Sequence, residues 1–391
     1  MEFKVNFSGT GHRYTQEEVD IVVDVMQSAD PLTQGKYRDL FENKFCNYNG
    51  NEYAFSVCNA TAALEIAAQM CLFKKGDEVV VPSHTFTSSV YPFIKKGAKP
   101  VWADIDFDTR VITLENIKKC ISPKTKAIVV VHLYGFIIPD IDEISKFAQE
   151  NNIILIEDVA QAMGTEINNK KAGTFGDFGI FSFHSHKNIT TLGEGGMLTV
   201  KEKKYADIIP MLRHNGHCGF EYEREHYWQP AMGELDLPSL EGEYLMPNNY
   251  CLGEVECALG AKLLDRLDEL NEQKRLRAIY FIEELEKFDI LEFHKIKDNR
   301  HNYHLLVAYV KDGQRDNIMK KLVYDKQIKC VVQYYPLNRY PLYQKLGYED
   351  ANCPNSDKFF DNMISFPFQH WMSNEEYNYM LKSTKEILKE L

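Results

Sequence analysis

The sequence has no CxxC pair, although it contains nine cysteines, Cys46, Cys58, Cys71, Cys120, Cys218, Cys251, Cys257, Cys330 and Cys353. Odd in number and scattered, they argue against zinc binding or a redox dithiol and for reduced thiols, and no metal site is expected. Basic charge is not in excess either. Lys and Arg total 45 against 57 Asp and Glu, a net charge of -12, whereas a nucleic-acid surface normally needs a basic stripe or patch. The N-terminal stretch MEFKVNFSGTGHRYTQEEVD lacks the apolar core of a signal peptide. No run approaches the ~18 apolar residues that span a bilayer. These absences exclude a membrane protein and a nucleic-acid binder, and point to a cytoplasmic enzyme acting on small molecules. Internal repeats and low-complexity tracts are also missing.

What is present is length and apolar content. A chain of 391 residues with 44% hydrophobic composition can bury a large core and exceeds one small domain. The runs DEVVVPS, KPVWADI, KAIVVVHLY and NIILIED read as strands buried on both faces, and ATAALEIAAQMCLF and PDIDEISKFAQENN between them as helices. That alternation predicts an α/β domain with a mostly parallel sheet. From His217 to Asn249 the pattern breaks into mixed charges, aromatics and turn residues, a long functional loop. Leu252, Val255, Leu259, Leu263, Leu267 and Leu270 then recur at helical spacing, in a helix running past Arg277. The strand YHLLVAYV and the final helix NEEYNYMLKSTKEILKEL complete the chain. Two domains are expected: residues 1–250, a large α/β unit with an N-terminal arm, and 251–391, a smaller α+β unit.

A lone lysine is ordinarily a solvated charge, yet Lys187 has unusual neighbours. GIFSFHSHK is an apolar run that would deliver the lysine to a strand end, where α/β proteins place ligands, and GEGGMLTV turns back into another strand. His184 and His186 would face away from Lys187 if the strand persisted, in packing or hydrogen-bond support. Upstream, ILIEDVAQAMG ends a buried strand in Glu157 and Asp158, followed by Gln161. A carboxylate there is costly unless a cation meets it, and a protonated pyridine nitrogen would serve. Pyridoxal phosphate needs a lysine, an acid for its ring nitrogen, a phosphate cradle and an aromatic cover. The cradle would be Asn59, Ala60 and Thr61 at a helix start in CNATAALEIAA, which taken singly reads as an ordinary cap. Phe86 in PSHTFTSS would supply the cover.

These residues resemble the DegT/DnrJ/StrS family of sugar aminotransferases, fold-type I pyridoxal phosphate enzymes. The likeness follows the family's order through LTQGKYRDLFENKFCNYNG, CNATAAL, GDEVVVPSHTFTSS, VHLYG, IEDVAQAMG, GTFGDFGIFSFHSHKNITTLGEGGM, LRHNG, NNYCLGEVECALG and SFPFQHWMS. The resemblance implies that Lys187 carries the cofactor as a Schiff base, Asp158 pairs with the pyridine nitrogen, and Gln161 contacts the ring hydroxyl. It implies that Phe86 stacks on the ring, that Ser182 joins Ala60 and Thr61 around the phosphate, and that Asn249 reaches the phosphate of a partner subunit. A homodimer with shared sites is thus expected. Ala60 stands where the family commonly has glycine, Cys251 where arginine is common, and Leu192 lengthens the usual TTGEGG turn.

The reaction implied is transfer of an amino group from an amino acid, L-glutamate by resemblance, to a nucleotide-diphosphate keto-deoxysugar in polysaccharide or glycoconjugate biosynthesis. The KNITT…GEGG form is closer to members that aminate carbon 4 than carbon 3. Arg213 or Arg224 could meet the diphosphate. A pyridoxamine-phosphate-dependent dehydratase on the same fold is the rival enzyme, but such relatives replace the lysine with histidine. A silent scaffold would have no physical need to keep a lysine facing a buried acid.

Overall fold

The computed structural model describes residues 2–218, 234–235, 237–349 and 351–391. Seven strands form its main sheet: Tyr53–Val57 (β1), Glu78–Pro82 (β2), Lys99–Ala103 (β3), Thr125–Val131 (β4), Ile154–Asp158 (β5), Phe178–Ser182 (β6) and Gly196–Val200 (β7). Their spatial order is β1-β7-β6-β5-β4-β2-β3. β3, β2, β4, β5 and β6 pair in parallel. β7 runs antiparallel to both β6 and β1. The expected mostly parallel α/β sheet is therefore what forms. Val79, Val80 and Val81 of β2 and Ile128, Val129 and Val130 of β4 are fully buried, because helices cover both faces of such a sheet.

Helix α1 (Gln16–Ser28) starts with a capping box between Thr15 and Glu18, and α2 (Lys36–Asn49) leads into β1. Helix α3 (Ala60–Met70) is the helix read from ATAALEIAAQMCLF, ending a turn earlier at Cys71. Its alanines Ala62, Ala63, Ala67 and Ala68 are buried, and small side chains let it lie close to the sheet. Helix α4 (Ile141–Glu150) fills the connection between β4 and β5.

The single helix expected from Leu252 onward is two, α5 (Glu254–Leu263) and α6 (Leu267–Leu285), joined by a 3₁₀ turn at Leu264–Arg266. Leu252, Leu259, Leu263, Leu267 and Leu270 belong to the core of the main sheet. From Ala278 onward, α6 enters a second core. That core lies on a three-stranded antiparallel sheet of Leu291–Phe293 (β8), Leu306–Val310 (β9) and Met363–Phe366 (β10), with α7 (Asn374–Lys389) beside it. Of the loop expected at 217–249, His217–Cys218 pairs with Glu234–Leu235, while much of the remainder, Arg224 included, lies outside the described residues. Cys46, Cys58, Cys71, Cys120, Cys251, Cys257, Cys330 and Cys353 are free thiols. Among the described residues no helix is long and apolar enough to cross a membrane.

Candidate active site

A cavity of about 350 Å³ opens at the carboxyl ends of β2, β5 and β6. This is where the loops of a parallel sheet leave room for a ligand. Asn59, Ala60, Thr61, Phe86, Asp158, Gln161, Ser182 and Lys187 all line it, so the structure brings together eight residues spread over 129 positions of sequence. Asn249 is not among them. It is exposed, bridged through its backbone to His214.

Lys187 does not sit on a strand. β6 stops at Ser182, and the lysine rides a turn five residues further on, its N–H donating to His184 O at 2.8 Å. The extended geometry that would have turned His184 and His186 away from it is therefore absent, and both histidines line the same cavity. His184 Nδ1 accepts from the His186 N–H at 3.3 Å, which ties the turn together. Leu192 (φ 58) and Gly193 (φ 119) make the lengthened turn in left-handed conformation, and Gly193 O accepts from Ser185 N at 2.9 Å.

The lysine's Nζ makes no hydrogen bond or ion pair among the described residues. Desolvation pushes its pKa down to about 8, against the opposing pull of Asp158. An amine so placed becomes mostly neutral above about pH 8, far below an ordinary lysine, and the neutral form is the one that acts as nucleophile and base. The carboxylate that faces the same space is also specified. Asp158 Oδ2 accepts from Ser89 Oγ at 2.7 Å and Oδ1 from Ala160 N at 3.0 Å, so each oxygen keeps a lone pair for a cavity ligand.

At the other end stands the start of α3. Asn59 caps it, Oδ1 accepting from Ala62 N at 2.9 Å, and the Ala60 and Thr61 N–H groups have no acceptor within the helix. The Thr61, Ser88 and Ser182 hydroxyls surround that end, with Thr61 Oγ1 3.1 Å from Ser88 Oγ. Gly196 lets β7 approach this cradle, since a Cβ there would lie 2.5 Å from Asn59 C and 2.7 Å from Ala60 N. Backbone donors and hydroxyls around a helix N-terminus suit a phosphate. The alanine at position 60 offers its N–H as well as glycine would.

Gln161 is held by Tyr134 N, which donates to its Oε1 at 2.7 Å, and it donates from Nε2 to Tyr334 OH at 3.0 Å. Phe86 is 52% exposed, its ring set edge-on to Tyr334 at a centroid distance of 5.9 Å. An apolar ring left half in solvent over a cavity is free to cover a flat ligand.

Sequence reasoning missed several groups. Ser89 lay unassigned inside a quoted motif, although a hydroxyl seven residues beyond the end of β2 was the available signal. Tyr334 comes from a loop of the second sheet's half of the chain and carried no signal. The arm contributes Phe7, Ser8 and Gly11 to the wall, and Gly11 N donates to Ser185 O at 2.6 Å. A Cβ at Gly11 would lie 2.4 Å from Lys187 O, so only glycine allows this approach. Lys274 also lines the cavity. Arg213, a candidate for a diphosphate, is instead 2% exposed and bonded through Nη1 to Glu42 Oε1 at 2.6 Å and Ser56 O at 2.7 Å. It holds α2 to β1 and has no place in the cavity.

The chain is similar to known proteins over nearly its whole length. It is 31% identical to GDP-perosamine synthase of Escherichia coli O157:H7 over 374 residues, 95% of this chain and 96% of that one. The fold matches Helicobacter pylori PseC, an aminotransferase of pseudoaminic acid biosynthesis, with a TM-score of 0.87 at 23% identity, covering 100% of both chains. It also matches Spr1654 of Streptococcus pneumoniae, described as a candidate sugar aminotransferase. In its PMP form the TM-score is 0.86 at 26% identity, with 98% of this chain and 100% of that chain covered. Residues 12–385 match the DegT/DnrJ/EryC1/StrS aminotransferase family, and to that family, with its fold-type I architecture, this chain belongs.

Proposed function

We propose that the chain is a pyridoxal-phosphate-dependent aminotransferase that moves an amino group from an amino acid to a nucleotide-diphosphate keto-deoxysugar. One observation carries the reading: an amine without a partner, Lys187, shares a cavity with a buried carboxylate and a phosphate-ready helix start. The residues fit the cofactor. Lys187 Nζ would bond to its aldehyde carbon, Asp158 would accept from its pyridine nitrogen, Ala60, Thr61 and Ser182 would hold its phosphate, and Phe86 would cover its ring. Bound there, the cofactor supplies an electron sink for charge at the amine-bearing carbon.

The protein's own part is proton transfer and exclusion of water. Lys187 Nζ, its pKa lowered to about 8, takes the proton from the donor's α-carbon and in the second half-reaction delivers one to the acceptor's carbon. Asp158, held by Ser89 and Ala160, stays an acceptor throughout. The acceptor class is supported by GDP-perosamine synthase at 31% identity, and the cofactor by the PLP and PMP forms of the pneumococcal protein at 26%. L-Glutamate as donor rests on the family resemblance.

The test is chemical. Protein loaded with pyridoxal phosphate and reduced with borohydride is expected to carry the pyridoxyl group on Lys187, and a peptide map placing it on another lysine would end the proposal. Incubating the pyridoxamine form with a panel of nucleotide-linked keto-sugars then identifies the acceptor by return of the aldehyde spectrum.

The site also reads as a dimer property. Asn249 is exposed and outside its own chain's cavity, as a residue serving a neighbouring subunit would be. Mixing Lys187→Ala chains with Asn249→Asp chains places both lesions in one site of a two-fold dimer and leaves the other intact. Hybrids should recover up to about half the normal activity by that symmetry. No recovery after verified mixing assigns Asn249 to its own chain.

A further inference from the structure

A second lysine in the cavity has no role in the scheme above. Lys274 projects from the middle of α6 and is 5% exposed, yet it lines the same space as Lys187. Its Nζ donates to His304 O at 2.9 Å and to Asn188 Oδ1 at 3.3 Å. Both acceptors are neutral. Among the described residues no carboxylate lies within salt-bridge distance of it. An ammonium carries three hydrogens, so one remains after these two bonds, in a place where the cost of burial is unrelieved by any counter-ion. Desolvation alone pulls its pKa down to about 7. Of the other buried cations of the described residues, Arg213 and Arg275 have acidic partners, Glu42 and Glu272, and Arg110, which has none, lies over the Phe359 ring outside the cavity.

Position narrows what the missing partner is. Asn188 follows Lys187 directly, and its Nδ2 donates to Asn271 Oδ1 at 2.7 Å, so α6 holds the reactive turn from behind through Asn271 and Lys274. The phosphate cradle at α3 is built from other elements and needs no further cation. The anion for Lys274 must therefore arrive on a substrate, close to the nitrogen that is exchanged at Lys187. In an amino acid the carboxylate is attached to the very carbon that bears that nitrogen. In a nucleotide sugar the diphosphate is separated from the reacting carbon by the sugar ring. Only the first geometry suits a cation hydrogen-bonded to Asn188, the residue that follows Lys187.

Resting on the proposed function, we infer that Lys274 is the seat of the amino donor's α-carboxylate. It donates its free N–H to that carboxylate, while Asn188 and His304 O keep the ammonium aimed into the cavity. It accordingly selects α-amino acids over plain amines in the first half-reaction.

Two amines titrated spectrophotometrically into the cofactor-loaded protein test this. 2-Methyl-L-glutamate keeps both carboxylates but has no α-hydrogen to lose. 4-Aminobutanoate keeps the amine and the distal carboxylate but lacks the α-carboxylate. The wild type should bind the first about tenfold or more tighter than the second, the scale of a hydrogen bond to a charged group. Lys274→Gln, which can still donate to His304 O, should erase that preference by weakening the first amine alone. A preserved preference overturns the inference, and so does a loss confined to the binding of GDP or UDP. If Lys274→Gln fails to hold cofactor, Lys274→Arg decides: it should restore both loading and preference, and loading without preference shows a merely structural lysine. A wild type that transaminates while Lys274→Gln keeps its preference sinks this inference alone. A wild type with no cofactor on Lys187 sinks the proposed function and this inference with it.

Discussion

Glu157 and Asp158 are adjacent residues on β5 and face opposite ways, as neighbours on a strand must. Their environments could hardly differ more. Glu157 is fully buried and accepts from four donors: Gly173 N at 2.9 Å, Phe175 N at 2.7 Å, Gly176 N at 2.7 Å and His132 Nε2 at 3.0 Å. His132 Nδ1 in turn accepts from Ile138 N at 3.1 Å, which assigns the neutral tautomer protonated at Nε2. Every demand of that carboxylate is met by the protein. Asp158 has two donors, and its remaining lone pairs face the cavity. A saturated buried acid is a fastener, whereas a buried acid left short of donors is waiting for a ligand.

The strongest way to break this comparison is to neutralise each acid in turn. Asp158→Asn is expected to lower the single-turnover rate of transamination roughly 10² to 10³-fold, in the range of a lost electrostatic partner at a reacting centre. The fold should stay close to wild type. Glu157→Gln should do the reverse, costing about 2 to 4 kcal/mol of stability because an amide NH₂ is pressed against backbone donors. Its loaded, folded fraction should turn over almost normally. Denaturant melts and stopped-flow traces on both variants check this. An unstable Asp158→Asn or an inactive but stable Glu157→Gln reverses the roles.

A pH series sharpens the cavity side. Cofactor capture by apo-protein requires the neutral Lys187 amine, whose pKa is lowered to about 8. Burial disfavours the ammonium, so the neutral fraction rises with pH and saturates above this value. The capture rate should climb from pH 6 and level off just above 8, where an ordinary lysine with pKa ~10.4 would be about a hundredfold less neutral. A rise continuing to pH 10 would mean that Lys187 is well solvated.

Smaller effects probe the supports. Gly196→Ala should weaken cofactor retention about tenfold, since backbone on both sides must shift to admit the methyl. Equilibrium dialysis at fixed cofactor measures it, and unchanged retention would show that the cradle yields freely. Ser89→Ala removes one of two hydrogen bonds to Asp158 and leaves the other. Its rate should fall only about threefold to tenfold, the net scale of one ordinary hydrogen bond, and a fall as deep as that of Asp158→Asn would mean that the serine itself touches the reacting atoms.

Part of this was legible in the chain. The valine and isoleucine runs announced β2, β4 and β5 because strands covered on both faces leave no polar alternation. Lys187, Asp158, Gln161 and the start of α3 could be picked out together, since each lies at a helix start or within five residues of a strand end in a recognisable local pattern. Arg213 could not be judged, because nothing local distinguishes a surface arginine from one paired with Glu42 far away. His184 and His186 were misplaced for a related reason: alternation holds only while the strand lasts, and β6 ends at Ser182 where the turn to Lys187 begins.

By itself, then, the sequence determined the α/β class and singled out eight residues that meet in one cavity, the set proposed to hold a phosphate, a pyridine nitrogen and an amine. Those are local properties of composition, period and motif. Tertiary structure alone decided that Asp158 faces the cavity while Glu157 is stitched to the loop at Gly173–Gly176, that the N-terminal arm closes over Lys187, and that Lys274 leaves its helix into the same space. Each of these depends on which distant atoms fill a group's hydrogen-bonding capacity and strip its water. Packing across the chain sets both, and no stretch of neighbouring residues encodes them.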